Sequence, residues 1–384
     1  MDRVPVKPHV LRWARERSGI RYENLTRRFK KLPEWEEGKT APTRKQLHSF
    51  ADAVHVPYGY LFLREPPEES IPIPDFRTVE GQPVKKPSPN LLETIYVCEE
   101  RQDWYREYMI NSGRSHLDFV GTASIESSTK QVASAITDRL GFAPFELNEK
   151  ATIDSSCSQF IRHIEEIGVL VMVSGVAGNN NHRRLDTKEF RGFALADDYA
   201  PLIFVNGTDA KVAQMFTLSH ELAHIWLGES ALSNVDVTVT NHGSRQEEVW
   251  CNKVAADFLV PLKVLRDKLH RNIDPSHQLD RLTSIFKVSK LVILRRLLDA
   301  QIIDRGFFNS AWASEMSHTA TEKRVARGGG NFHRTVLTRA SPTFARALVE
   351  STLEGNTLHR DALDMLELPK LETFKKFVDF LHKT

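Results

Sequence analysis

The chain has 384 residues, 41% of them hydrophobic and 27% charged, which excludes a wholly disordered chain and allows two or three packed domains. No apolar stretch approaches the roughly 20 residues of a bilayer span, the best running only from Val169 to Gly178. Net charge is +2, yet residues 1–50 hold 13 Lys and Arg against 6 Asp and Glu, so any nucleic-acid footprint belongs at the front.

The N-terminal segment lacks the apolar core of a secretory signal, so a cytoplasmic location is expected, with no membrane partner. Cys98, Cys157 and Cys251 are too scattered for a disulfide framework or a thiolate zinc site.

Apolar residues recur at helical spacing in Val10–Arg17, Tyr22–Phe29 and Leu47–Val54, the last opened by Thr43 as N-cap. This predicts a compact helical domain over residues 1–64. Seven of the 18 prolines (Pro66, Pro67, Pro72, Pro74, Pro83, Pro87 and Pro89) crowd the next stretch, which reads as a linker over residues 65–90. Helices at Leu91–Asn111 and Thr129–Leu140 suggest a helical connector over residues 91–145. The next domain, residues 146–310, opens with a helix at Thr152–Ile167. Short β-branched and apolar runs at Val169–Ser174, Phe190–Ala196 and Pro201–Val205 then read as strands. Helices return to the end, interrupted by a Gly-rich turn at Arg327–Asn331, with a helical C-terminal region over residues 311–384. The expected fold class is α+β.

The chemistry concentrates in Phe216–Gly228, which contains His220-Glu221-Leu222-Ala223-His224. An i, i+4 pair stacks both imidazoles on one helix face, near enough for one metal ion, while Glu221 reaches the water such an ion activates. That is the pattern of a zincin active helix. Val212, Phe216, Leu218, Leu222, Ala223 and Leu227 can bury most of the helix and leave the histidines on the floor of a cleft. The bare pattern recurs by chance, so a third ligand matters. Glu247 and Glu248 begin another helix downstream and could equally be a solvated, dipole-favoured helix start. Glu248 is preferred as ligand, because Asn252 lies one turn beyond it and can hold a ligand histidine from behind.

Three blocks carry a family resemblance: Asp75-Phe76-Arg77-Thr78, Phe216-Thr217-Leu218-Ser219-His220-Glu221-Leu222-Ala223-His224, and Cys251-Asn252-Lys253-Val254-Ala255-Ala256-Asp257-Phe258-Leu259-Val260-Pro261. Over roughly residues 8–300 the chain resembles the ImmA/IrrE metallopeptidases that follow an Xre-type helix-turn-helix domain. The resemblance implies one zinc ion per chain held by His220, His224 and Glu248, with Glu221 as base. Members of that family cleave Xre-type repressors of integrative elements, prophages or damage-response genes, or serve in toxin–antitoxin pairs. An Xre-type repressor or antitoxin is therefore the expected partner and substrate. The alternatives are the toxin of a toxin–antitoxin or phage-defence pair, and a DNA-binding transcriptional regulator without proteolysis. In zincin architectures an edge strand aligns an extended substrate, a role expected here of Leu202, Ile203 and Phe204. No residue, His182, Arg191 and His242 included, is assigned by spacing to the oxyanion.

Residues 8–63 resemble the Xre domain through Leu11-Arg12-Trp13-Ala14-Arg15-Glu16 and Trp35-Glu36-Glu37-Gly38 with Pro42-Thr43. Between Phe29 and Trp35 there is too little chain, with Pro33 in it, for a turn and a full recognition helix. Arg27, Arg28, Lys30 and Lys31 are thus expected to contact phosphates weakly and without sequence preference, to contact a partner, or to form a solvated basic face. A second helix-turn-helix-like pattern at Gln278–Asp299 is expected to pack on the peptidase core.

Overall fold

The computed structural model describes residues 3–75, 86–146, 151–233, 245–270, 274–321 and 331–383. Two units emerge, Met1–Pro72 with Lys85–Glu93 and Ile73–Val84 with Thr94–Thr384. No described helix is long and apolar enough to cross a membrane.

The first unit contains α1 (Pro8–Arg17), α2 (Tyr22–Arg28), α3 (Leu32–Glu36) and α4 (Arg44–Val54), followed by a 3-10 turn at Tyr58–Phe62. Thr43 caps α4 reciprocally: its hydroxyl accepts from the Gln46 N–H at 3.3 Å, and the Gln46 side chain accepts from the Thr43 N–H at 2.9 Å. The apolar faces of the helices meet around Leu11, Leu32, Trp35, Leu47 and Phe50, with the Phe29 and Trp35 rings edge-on to Phe50. α3 has only five residues, bounded by Pro33 at its start and by Gly38 at φ 72° just past its end.

The second unit takes in most of α5 (Pro89–Asn111), then α6 (Thr129–Leu140), α7 (Ile153–Glu166), β1 (Leu170–Ser174), β2 (Gly192–Leu195) and β3 (Leu202–Asn206). It continues through α8 (Lys211–Leu227), β4 (Ala231–Ser233), α9 (Gln246–Leu259), α10 (Leu262–Asp267), α11 (Pro275–Phe286), α12 (Lys290–Asp299) and α13 (Arg305–Thr321). Four helices close it, α14 (Phe332–Ala340), α15 (Pro342–Leu353), α16 (His359–Met365) and α17 (Leu371–Leu381). This mixed α and β content agrees with the expected class.

The four strands form one sheet in the order β1-β3-β2-β4, with β1 parallel to β3 and the β2 pairings antiparallel. β3 is interior, and Leu202, Ile203 and Phe204 are paired with β1 on one side and β2 on the other. It therefore has no free main-chain edge with which to align a substrate, contrary to expectation. At the β4 edge, the Leu232 N–H donates to the Pro74 carbonyl at 3.0 Å, and Asp75 bridges to Leu232 in parallel. Part of the stretch read as a linker thus continues the sheet.

Because side chains alternate along a strand, the sheet buries two faces. Val171, Val173, Ala194, Ile203 and Val205 face a core shared with Phe216, Leu218 and Leu222 of α8. On the other face, Met172 meets Cys98 of α5 at 3.9 Å, and the Gln102 amide donates to the Leu195 and Ala200 carbonyls at 2.9 and 2.8 Å. α5 is therefore a layer of the fold as well as a connection. The C-terminal helices are fixed in the same unit: α14 packs against β1, and buried Arg101 donates to the Arg339 and Met365 carbonyls at 3.1 and 2.8 Å. In α12, buried Arg296 donates to Asp257 Oδ1 of α9 at 2.7 Å and to the Val260 carbonyl at 2.9 Å. Phe76, Arg77, Thr78 and the turn at 327–330 lie outside the described residues.

Candidate metal centre

α8 is buried continuously from Gln214 to Trp226, because the sheet covers one side and α7 and α9 pack against others. A helix enclosed in this way has little reason to be amphipathic, and its polar residues must find partners inside. Those partners come from α9 and β4.

His220 and His224 are fully buried, with ring centroids 4.9 Å apart. Their Nε2 atoms are separated by 3.2 Å. Glu248, from the first turn of α9, brings Oε2 to 3.3 Å from His220 Nε2 and Oε1 to 3.2 Å from His224 Nε2. One turn on, Asn252 Oδ1 lies 3.1 Å from His220 Nδ1. An amide oxygen only accepts, so that contact puts the His220 proton on Nδ1 and leaves Nε2 with a lone pair facing its neighbours. Ser233, at the end of β4, donates its hydroxyl to Glu248 Oε1 at 3.3 Å.

Glu221 is also fully buried, and neither of its carboxylate oxygens makes a hydrogen bond in good geometry. Burial pushes its pKa well above the ordinary carboxylate value and the Glu248 charge adds to the rise, while the nearby Ser233 hydroxyl opposes it. Burial pushes the Glu248 carboxyl up too, but the two imidazoles outweigh it and hold that carboxyl well below its usual range. The His224 pKa is lowered by burial and by His220, against the pull of Glu248. Cys251, next to this cluster, is raised well above the usual thiol value by burial and the surrounding carboxylates. It stays a thiol.

The donor set fits a metal ion. His220, His224 and Glu248 each offer one ligand atom, all within 4.8 Å of one another. Ligands about 2.0–2.1 Å from a tetrahedral zinc ion lie about 3.3 Å apart, which is the spacing seen here. Two carboxylates, Glu221 and Glu248, buried in one cluster also call for a compensating cation.

Gly192 sets the room above Glu221. It pairs with Ser233 across β2 and β4, and a Cβ on it would lie 2.5 Å from the Thr217 methyl and 3.1 Å from Glu221 Oε1. Ser233 and Gly192 are the residues the sequence reading missed. They reach the site by strand pairing, for which no spacing rule exists.

The other expected positions lie elsewhere. Leu202, Ile203 and Phe204 are buried in the middle of the sheet. Arg27, Arg28, Lys30 and Lys31 are exposed on the first unit, at the end of α2 and in the turn to α3. Arg191 faces Asp209 at 3.5 Å, His182 is exposed, and His242 lies outside the described residues.

Fold and site together define an α+β protein with a buried cluster of two histidines and one glutamate, drawn from two helices, that could hold a metal ion. Residues 164–298, which include the whole sheet, α8 and α9, match the IrrE N-terminal-like domain, Peptidase M78. That match supports a metallopeptidase and implies a bound metal. It begins after the N-terminal helices. Residues 340–380 match a domain of unknown function, DUF8813. Comparison with curated proteins finds no match.

Proposed function

We propose that the chain is a zinc-dependent endopeptidase acting on a regulatory protein, an Xre-type repressor or an antitoxin, and so controlling a mobile element, a prophage or a stress response. The observation that carries this reading is the convergence of His220, His224 and Glu248 on one point, with the unpartnered Glu221 carboxylate beside them. Zinc held there would polarise the scissile carbonyl and lower the pKa of a water towards about 7. Asn252 holds the His220 ring in the tautomer that presents Nε2. The Ser233 hydroxyl donates to Glu248 and orients it. Glu221 takes the proton from the attacking water and returns it to the leaving amine.

The test is metal analysis followed by incubation with the product of a neighbouring Xre-type gene, read by mass spectrometry. Cleavage at one site by wild type and none by Glu221→Gln supports the proposal. A folded wild type that takes up no zinc ends it. A stable complex with no cleavage supports the toxin reading in its place.

A DNA-binding role without proteolysis has one observation in its favour, the exposed run Arg27, Arg28, Lys30 and Lys31, none of which forms an ion pair among the described residues. Against it, five-residue α3 is too short to fill a major groove. Association with duplex DNA is then weak, non-specific and steeply reduced by salt.

A further inference from the structure

The first unit carries a cavity of about 470 Å³ walled by the N-terminal arm, the turn after α3 and the segment following the 3-10 turn. Its walls are tied down. Arg3 bridges to Thr43, the Val4 N–H donates to the Pro42 carbonyl at 2.8 Å, and His9 Nε2 lies 2.9 Å from the Arg64 carbonyl. The cavity is therefore built into the resting fold.

Two features of its lining bear on what it takes up, the charge of the rim above all. Trp35 lines the cavity and is 2% exposed, yet its indole N–H has no hydrogen-bond partner. A buried donor left without an acceptor is costly, and native structures leave few of them. The second feature is charge. Arg3, Lys7 and Arg64 line the rim, none forms an ion pair among the described residues, and no carboxylate lines the cavity. Lys39, also at the rim, is paired with Glu37 at 2.6 Å. Between the cations the wall is apolar, including Leu61 and Phe62, the latter 47% exposed.

We infer that this cavity binds an acidic, apolar peptide segment of a partner protein. An apolar side chain covers Leu61 and Phe62 beside Trp35, and flanking acidic residues face Arg3, Lys7 and Arg64. A nucleic-acid backbone satisfies the cations but offers no apolar group to the wall, so the peptide is favoured. The inference concerns binding alone and holds whether or not the metal centre is catalytic.

The experiment uses the full-length chain and a short fluorescein-labelled peptide of alternating Glu and Leu, with its Lys–Leu counterpart as control. Fluorescence anisotropy is expected to show at least about tenfold tighter binding of the acidic peptide, lost by about tenfold in the Lys7→Glu, Arg64→Glu double variant. Both substituted side chains are exposed, so the fold is retained. In ¹⁵N spectra the indole signal of Trp35, assigned by its absence in Trp35→Phe, is expected to move on adding the acidic peptide. The inference is overturned by a stationary Trp35 signal, by equal binding of the two peptides, or by unchanged affinity in the double variant. It is equally overturned if a DNA duplex moves the Trp35 signal and the acidic peptide does not.

Discussion

Asn252 Oδ1 sits 3.1 Å from His220 Nδ1, one helix turn beyond Glu248 on the same face of α9. The amide therefore fixes a histidine on a different helix from its own. Replacing Asn252 with Ala removes the acceptor without removing a metal donor. Zinc affinity is expected to fall about 10- to 100-fold with the fold intact, measured by competition with a chromophoric chelator. Unchanged affinity would show that packing alone orients His220.

Glu248→Gln and Glu221→Gln should separate holding from chemistry. The first removes a ligand charge, so metal content should drop well below one ion per chain. The second leaves all three donors in place and should keep its metal while losing about 10²-fold or more in turnover. Elemental analysis beside a cleavage assay reads both; loss of metal from Glu221→Gln would remove that residue from the role of base.

Gly192→Ala places a methyl 2.5 Å from the Thr217 side chain and 2.9 Å from the Phe204 carbonyl oxygen. The carbonyl belongs to the sheet and cannot swing away. Destabilisation of about 1–3 kcal/mol is expected from chemical denaturation, with reduced turnover because Glu221 is crowded as well. A variant as stable and active as wild type would mean that the sheet yields there.

Arg296 and Asp257 form a buried pair at 2.7 Å, with Thr129 also donating to Asp257 at 2.7 Å. Arg296→Met strands a buried carboxylate, at an expected cost of about 3–5 kcal/mol, whereas adding Asp257→Leu should recover much of that loss. Denaturation midpoints of the single and double variants decide it: equal loss in both would point to lost packing rather than stranded charge.

Glu165 gives the pH dependence a sign. Burial raises its pKa from the ordinary 4.5, against the hydroxyls of Ser341 and Thr343, which donate to its oxygens at 2.6 and 3.1 Å. The folded state then binds the proton more tightly than the unfolded state, so this carboxyl favours folding at acid pH. That contribution is lost as pH rises from about 4.5 through the raised folded value. Glu165→Gln is expected to flatten this part of the stability curve, measured by denaturation at stepped pH. An unchanged slope would show that the hydroxyls cancel the burial.

How far the sequence disclosed this arrangement depended on the range of each interaction. The two histidines are visible because their geometry is local, one helix turn, and Glu248 because Asn252 repeats that interval on α9. β1, β2 and β3 are legible as short apolar runs. The same unbroken hydrophobicity of Leu202–Val205 marks a strand buried on both faces, which argues against an edge position for it. β4 has three residues, too few to show a period, and Ser233 went unseen with it. The packing of α14 on β1 joins segments far apart in the chain, where composition carries no distance information.

The two ends of the sheet carry a further consequence. On the outer side of β4 the Leu232 N–H donates to the Pro74 carbonyl and Asp75 forms a parallel bridge, while α14 packs against β1. A strand that ends a sheet normally offers a row of unpaired amides on which another molecule can template itself. Here residues 74 and 75 of the same polypeptide occupy part of the β4 end, which guards that side of the apolar sheet against fibre-like growth between copies.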